Sequence, residues 1–411
     1  VRHLLLVASG KLFVLGSMFA CGVVIARAAD APSEYAIFAA GLTLVLLIDA
    51  TLGSPLDLAT IRFGAIHRDE PRRVDRFAAA AFRIKLVVGG GMAAIALVAS
   101  RPLAALLFDT PDRTAMLMIA IVSAMALLLI RGTAVHLQVR LLFRRYAVLD
   151  ATQGGLRLLA TAALLVFGIH RAEWFLAAYG LAAALVFALG VVWIRQPYML
   201  ASWPPKSDAR AILAFLGPTA GVVILGTVTG RSDVLFLTAL GDANRAGQYA
   251  AAAHMATMAT MLAVYGAIVC QPRVIPAAQA GRLGELVRWN LISAAAVALL
   301  AVPVSLLVFD PLVPALFGSD YAPAVPVLKL LVIGTCADIF FMPVMMTFAI
   351  QMYPRTSLAC EVGVTLVFLV AAPMAAVRGP MAMAGVVTVV RLLKFACYAG
   401  ITWRHLRRGE S

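Results

Sequence analysis

The chain has 411 residues, of which 63% are hydrophobic and 13% are charged, and its formal net charge is +14. Soluble domains carry about twice that share of charged residues, so the composition excludes a water-soluble globular protein. Continuous runs rich in Ala, Leu and Val recur at the length that a helix needs to cross a bilayer, without the alternation typical of an outer-membrane barrel.

These runs predict twelve membrane helices, and we expect an all-α polytopic membrane protein. The third, fourth and tenth helices are the least apolar, because each contains charged residues. In chain order the predicted helices span about residues 11–29, 35–58, 82–100, 115–135, 148–168, 173–194, 211–229, 248–271, 289–309, 325–348, 356–376 and 380–402.

Basic residues are distributed unequally between the loops on the two sides. The loop after the second predicted helix contains five arginines, and the other loops on that side are also basic, as are both termini. The opposite loops hold far fewer basic residues. The positive-inside rule therefore predicts that both termini are cytoplasmic, and that the arginines face anionic lipid headgroups rather than nucleic acid.

Two sequence echoes with one spacing predict an internal repeat. Residues 101–109 read RPLAALLFD and 310–321 read DPLVPALFGSDY, about 209 residues later, and the stretches around Tyr35 and Tyr249 match at nearly the same offset. Six helices per copy would give two parallel six-helix bundles. The predicted domains are an N-terminal bundle at 1–195, a cytoplasmic linker at 196–210 and a C-terminal bundle at 211–411.

The sequence shows no pattern for catalysis or for a cofactor. It contains no phosphate-binding loop of the Gly-x4-Gly-Lys-Ser/Thr type and no Gly-x-Ser-x-Gly elbow. The six histidines lack zinc-site spacing, and the five cysteines lie in apolar segments without a CxxC pair. We therefore expect neither an enzyme nor a metal or cofactor site.

Ionisable residues within the predicted spans are the candidate functional residues, because a charge at membrane depth is costly unless it faces a cavity or a partner. Cations outnumber acids among them, and a cavity lined by them would suit an anionic group such as a pyrophosphate. Near predicted helix ends, snorkelling to the headgroups is the alternative explanation for Arg27, Arg83, Lys85, Arg231 and Lys394. The candidates for the cationic cavity are Arg27, Arg157, Arg231, Lys329 and Arg391. The candidates for coupling to a proton or sodium ion are Asp49, Asp233, Asp338 and Glu361.

Three stretches in order along the chain carry a resemblance to a known family. Residues 24–35 read VIARAADAPSEY and run into LIDATLG at 47–53. Residues 231–237 read RSDVLFL, followed by GQY at 247–249, and residues 316–330 read LFGSDYAPAVPVLKL. This ordered set resembles the Wzx-like polysaccharide-biosynthesis flippases of the multidrug/oligosaccharidyl-lipid/polysaccharide exporter superfamily. Glu34 and Ala36 flank Tyr35 where that family's pattern has glycine. The matched stretches contain Arg27, Arg231, Asp233 and Lys329, and the other candidates depend on predicted depth alone.

The resemblance implies a flippase that moves undecaprenyl-pyrophosphate-linked oligosaccharide across the bacterial inner membrane, for O-antigen, capsule or exopolysaccharide assembly. Its expected partners are this lipid-linked substrate and membrane lipids. A polysaccharide polymerase and other assembly proteins are further candidate partners. Two alternatives stay open: an ion-coupled drug or metabolite antiporter of the same superfamily, and a non-transport membrane protein such as an assembly partner or a membrane-bound transferase.

Overall fold

The computed structural model describes residues 2–29, 31–67, 70–108, 113–194, 199 and 201–408. The predicted linker at 196–210 falls partly outside these residues, at 196–198 and 200. Within the described ranges the chain folds into α-helices joined by short turns, and it contains no β-strand.

Within the described residues, the first half of the chain forms eight α-helices. A π-turn at Lys85–Gly89 joins the third helix to the fourth, so that these two run as one stretch. The helices are α1 (Arg2–Ala28), α2 (Pro32–Ile66), α3 (Pro71–Ile84), α4 (Gly90–Val98), α5 (Ser100–Phe108), α6 (Thr114–Val139), α7 (Phe143–Val166) and α8 (Ala172–Ile194).

The second half, as described to residue 408, also forms eight α-helices, and a second π-turn at Met342–Met346 interrupts one long stretch. Pro343 lies in this π-turn and has no N–H to donate, which explains why regular α-helical hydrogen bonding fails there. The helices are α9 (Lys206–Arg231), α10 (Asp233–Leu240), α11 (Ala243–Gln279), α12 (Leu283–Phe317), α13 (Ala324–Phe341), α14 (Thr347–Met352), α15 (Pro354–Arg378) and α16 (Pro380–Arg408).

The described residues contain twelve long helical stretches when α3–α4 and α13–α14 are each counted with their π-turn. Nine of them are long and apolar enough to cross a membrane. The other three, α1, α7 and α11, coincide with the predicted spans 11–29, 148–168 and 248–271. The prediction of an all-α, multi-pass membrane protein with about twelve membrane helices is confirmed.

The order and packing of the helices repeat. In the first half α2 packs on α6, α6 on α8 and α7 on α8. In the second half their counterparts about 210 residues later do the same, since α11 packs on α13, α13 on α16 and α15 on α16. The internal repeat predicted from two short echoes is thus present in the element order and in the pairs of helices that touch.

The chain forms two compact units, residues Val1–Thr227 and Val228–Ser411. Helix α9 contains the boundary between them. The part of the predicted linker that the structure describes forms hydrogen bonds to α3 of the first unit. Arg73 donates two hydrogen bonds to Asp208, at 2.9 and 2.8 Å, and Arg83 donates one to the Ala201 carbonyl at 2.7 Å. The predicted bundle boundaries at 1–195 and 211–411 stay a prediction.

The Arg113 side chain links the N-terminal ends of three helices in the first unit. Arg113 donates to Glu34 at 2.5 Å and to Glu173 at 3.0 Å, which joins the beginnings of α2, α6 and α8. Burial lowers the pKa of Arg113, but the hydrogen bonds to the two carboxylates outweigh burial and raise the pKa above its ordinary value. The guanidinium therefore remains charged at any physiological pH.

Proline and glycine set several helix boundaries. Pro32, Pro71 and Pro354 each occupy the first turn of a helix, where a missing N–H costs nothing. Gly318 ends α12 with a φ of 108°, in the left-handed region that a side chain rarely adopts. The sequence has Gly318 where the first echo has Asp109, and Asp109 lies outside the described residues.

Candidate functional site

The first group of charged side chains lies within the N-terminal unit. Asp49 and Asp57 are two turns apart on α2, and a Cβ built on Gly53 between them would lie 3.4 and 3.7 Å from their carboxylate oxygens, so both face the same way. Lys85 Nζ lies 2.5 Å from Asp57 Oδ1, and Arg131 Nε lies 2.8 Å from Asp49 Oδ2. We call Asp49, Asp57, Lys85 and Arg131 the N-terminal charge cluster.

The side chains of the N-terminal charge cluster differ in how far they are exposed. The side chain of Lys85 is 1% exposed and that of Asp49 is 1% exposed, whereas that of Arg131 is 47% exposed. Arg131 and Asp49 are close enough to form an ion pair, but their geometry does not meet the criteria for a hydrogen bond. An ion pair with one buried and one accessible member can be disturbed from the accessible side, which a structural pair deep in a core cannot.

Arg157 differs from these residues because it has no carboxylate partner within the described part of the chain. It is buried on α7, donates to the Val14 carbonyl at 3.0 Å and to Ser17 Oγ at 2.6 Å, and lies 5.0 Å from the centre of the Tyr179 ring. Among the described residues no Asp or Glu lies within ion-pair distance of it. Neutral groups from α1 and α8 therefore hold a positive charge that is not cancelled locally.

A second group of charged side chains lies within the C-terminal unit, on five helices. Arg391 and Lys394 are one turn apart on α16 and so share a face. Arg391 donates to Thr335 Oγ1 at 2.6 Å and lies 3.4 Å from Asp338 Oδ2, both on α13. We call this group the C-terminal charge cluster; its members are Asp233, Tyr249, Asp338, Glu361, Arg391 and Lys394.

Lys394 connects α16 to two other helices. Its ammonium lies 2.9 Å from Glu361 Oε2 on α15 and donates to Thr229 Oγ1 on α9 at 2.7 Å. The other oxygen of Glu361 accepts a hydrogen bond from the Tyr398 hydroxyl at 2.8 Å. Glu361 is 1% exposed, so both of its oxygens depend on protein groups for compensation.

Unlike Asp338 and Glu361, the buried Asp233 has no cation within ion-pair distance among the residues that the structure describes. It opens α10, accepts a short hydrogen bond from the Tyr249 hydroxyl on α11, and accepts a second from the Val234 amide at 2.9 Å. Asp233 is 8% exposed and Tyr249 is fully buried. A phenol and an amide are neutral donors, so they stabilise a carboxylate less than a cation would.

The structure places the nine predicted site residues in different settings. The N-terminal charge cluster contains Asp49, and the C-terminal one contains Asp233, Asp338, Glu361 and Arg391. Arg27 is exposed in the last turn of α1 and Arg231 is half-buried in the last turn of α9, as expected for residues near helix ends. Lys329 lies early in α13, where it pairs at 2.9 Å with Asp310, whose side chain is 62% exposed.

Lys85 is buried and Lys394 is half-buried, and each pairs with an acid, which argues against snorkelling for both. Asp57 and Arg131, which the structure places in the N-terminal charge cluster, are not among the residues predicted from the sequence. Asp57 carried a usable signal, because it lies eight residues after Asp49 and therefore on the same helical face. Arg131 lies inside the predicted apolar span 115–135, where a charge is costly without a partner.

The two clusters differ in charge balance. With all groups ionised, the N-terminal cluster has two acids and two cations, whereas the C-terminal cluster has three acids and two cations. An apolar environment disfavours the unbalanced negative charge, and a bound proton or monovalent cation would cancel it. Within the part of the chain that the structure describes, no three His, Cys, Asp or Glu side chains converge as a metal site would require.

Several solved membrane transporters share this fold over nearly their whole length. The lipid II flippase MurJ, in an inward closed conformation, is 11% identical with a TM-score of 0.73, and the match covers 99% of this chain and 90% of that one. An inward-facing multidrug resistance MATE family transporter of the MOP superfamily is 16% identical with a TM-score of 0.68, covering 95% of each chain. A mutant of the Vibrio cholerae MATE transporter VcmN is 14% identical with a TM-score of 0.68, covering 99% and 96%.

The fold and the buried charge clusters thus define a multi-pass, all-α membrane protein with the architecture seen in MATE and MurJ structures. No curated protein matches the chain in sequence. Residues 19–277 match the family model of polysaccharide biosynthesis proteins, which is more than half of the chain. The chain belongs to this polysaccharide biosynthesis protein family.

Proposed function

We propose that this protein is a flippase that translocates undecaprenyl-pyrophosphate-linked oligosaccharide across the bacterial inner membrane for O-antigen, capsule or exopolysaccharide assembly. Family membership supports the connection to polysaccharide synthesis. The fold shared with a lipid II flippase supports movement of a lipid-linked saccharide. The proposal assigns transport to the chain, with no chemical step of its own.

The observation that carries the proposal is the buried Arg157 without a carboxylate partner among the described residues. A pyrophosphate bears negative charge that must be compensated when it leaves water, and a guanidinium binds it through two parallel hydrogen bonds. Arg391, Arg27, Arg231 and Lys329 are the further proposed contributors to a cationic path. Arg391 and Lys329 already have acidic neighbours, so we assign the dominant contribution to Arg157.

Rocking of the two halves between inward-open and outward-open forms would move the head group while the lipid tail stays in the bilayer. Asp49, Asp233, Asp338 and Glu361 are proposed to couple this motion to a proton or a sodium ion. The acid surplus of the C-terminal charge cluster supports a coupling role for its three acids, because uptake of one cation would neutralise it.

The decisive experiment measures polymer export and the leaflet distribution of undecaprenyl-linked saccharide in cells that have this protein as their only flippase for that polymer. We expect Arg157→Ala to lower export about tenfold or more, since a charge-assisted contact is lost. Arg157→Lys should retain part of the activity, because it keeps the charge and loses the planar fork.

Arg144→Ala is the matched control, because Arg144 is exposed on the same helix. It should leave export unchanged. Normal export from Arg157→Ala at normal protein level would contradict the proposed site. An unchanged leaflet distribution after depletion of the whole protein would contradict the flippase function itself.

The second candidate function is an ion-coupled drug or metabolite antiporter. The similarity to MATE structures and the acid surplus of the C-terminal charge cluster favour it. Its test is drug sensitivity together with substrate efflux driven by a proton or sodium gradient. Efflux without any effect on lipid-linked saccharide would support this candidate, and absence of both transport activities would support a non-transport assembly role.

A further inference from the structure

A groove of about 720 Å³ opens on the C-terminal unit between the beginning of α12 and the end of α16. Its floor is Met345, in the π-turn that follows α13. The side walls, formed by α12 and α16, are mostly apolar and contain two glycines. The groove is lined by Gly284, Val287 and Leu291 on α12, and by Gly400 and Trp403 on α16.

The groove is part of a packed structure rather than a gap that would collapse. Beneath it, Phe341 and Tyr398 stack at 5.7 Å with nearly parallel rings, and both belong to the core cluster that also contains Met345. Two wall positions are glycines, which leave the groove open because they have no side chain. A Cβ built on Gly400 would meet nothing within 4 Å, and one on Gly284 would meet only the end of the Leu406 side chain, at 3.7 Å.

Two arginines flank the groove. Arg288 is exposed at its α12 edge, and the Arg407 guanidinium lies 5.0 Å from the centre of the Trp403 ring on the α16 side. In the described parts of the chain neither arginine has an acidic side chain within ion-pair distance. Tryptophan prefers the headgroup level of a bilayer, so apolar walls, a tryptophan and two available cations occur together at one membrane edge.

We propose that this groove binds an anionic phospholipid of the membrane, with an acyl chain between α12 and α16 and the phosphate between Arg288 and Arg407. The positive-inside prediction puts this end of the helices at the cytoplasmic leaflet, where anionic lipids attract basic residues. Charge complementarity selects an anionic lipid over a zwitterionic one. The site would exist whether or not the protein moves oligosaccharide, because it requires no cargo.

The test is native mass spectrometry of the purified full chain with phosphatidylglycerol or phosphatidylcholine. We expect the wild type to retain phosphatidylglycerol preferentially, and Arg288→Ala to weaken that retention about tenfold. Gly400→Leu should abolish it, because the new side chain fills the groove without meeting another group. Arg282→Ala and Gly385→Leu are matched controls, since Arg282 lies outside the groove and a Cβ on Gly385 also meets nothing within 4 Å.

The outcomes separate lipid binding from general damage. Thermal unfolding of each variant shows whether it is folded, and Gly385→Leu shows whether leucine in α16 alone alters lipid retention. Equal retention of both lipids, or unchanged retention in Gly400→Leu, would overturn the proposal. Displacement of phosphatidylglycerol by an equimolar polyprenyl phosphate would also overturn it, by assigning the groove to a polyprenyl lipid instead.

Discussion

Lys85 shows how a single charge is kept inside an apolar bundle. Its ammonium is 1% exposed and lies 2.5 Å from Asp57 Oδ1, and a Cβ built on Gly132 would lie 3.8 Å from it. Such a pair contributes little net stability, because desolvation of both ions offsets their attraction. Its importance is that Asp57 cannot be lost alone without leaving the buried ammonium uncompensated.

We therefore expect Asp57→Asn to lower the free energy of unfolding by about 3–5 kcal/mol, since it leaves Lys85 without a carboxylate. The double variant Asp57→Asn with Lys85→Met should recover most of that loss, because an apolar side chain then replaces the ammonium. Thermal unfolding of the purified protein in detergent measures both. A double variant no more stable than the single one would show that the pair is not the cause.

The charged residues could be predicted from the sequence, but most of their partners could not. Asp49, Asp338, Arg157 and Arg391 could be predicted because the position of a residue within its span indicates its depth in the membrane. Pairing depends on how each helix is rotated about its axis and on which neighbour it meets. Asp49 and Arg131 are 82 positions apart, and nothing local specifies that α2 and α6 turn these side chains toward each other.

At the scale of the elements, apolar runs and turn residues predicted the existence of the helices well. The two π-turns were not predicted, because each depends on a local slip in hydrogen bonding. Pro343 gave a signal for one of them, since proline disrupts the helical ladder. The turn at Lys85–Gly89 contains no proline, and there the sequence offers only the triple glycine of residues 89–91.

Gly318 allows a direct test of one helix end. Its φ of 108° strains any residue with a side chain, so we expect Gly318→Ala to destabilise the protein by about 1 kcal/mol or more. Gly363→Ala is the matched control, because Gly363 lies in the interior of α15 and a Cβ there meets nothing within 4 Å. That variant should be stabilised by about 0.5–1 kcal/mol. Thermal midpoints that move in the same direction would contradict this account.

At the scale of the whole molecule, the distribution of basic residues predicts the orientation in the membrane. The loop with five arginines and both basic termini should be cytoplasmic. The short connection at 167–171, between α7 and α8, should lie on the opposite side. This prediction depends on charge alone, because the fold is compatible with either orientation.

Reporter fusions test this orientation. Green fluorescent protein fused after Ser411 should fluoresce, since it folds in the cytoplasm, and alkaline phosphatase inserted after Ile169 should be active, since it requires the other side. Exchanging the two reporters provides the control, and both should then be silent. Phosphatase activity from a fusion at Ser411 would refute the prediction.

The two charge clusters occupy different positions in the repeated halves. Counted from the first residue of each helix, Asp49 in α2 corresponds to Thr260 in α11, and Arg391 in α16 corresponds to Ala183 in α8. A duplicated gene starts with two identical halves, so these differences arose after the duplication. The two halves have therefore kept a common arrangement of helices while the positions of their buried charges have diverged.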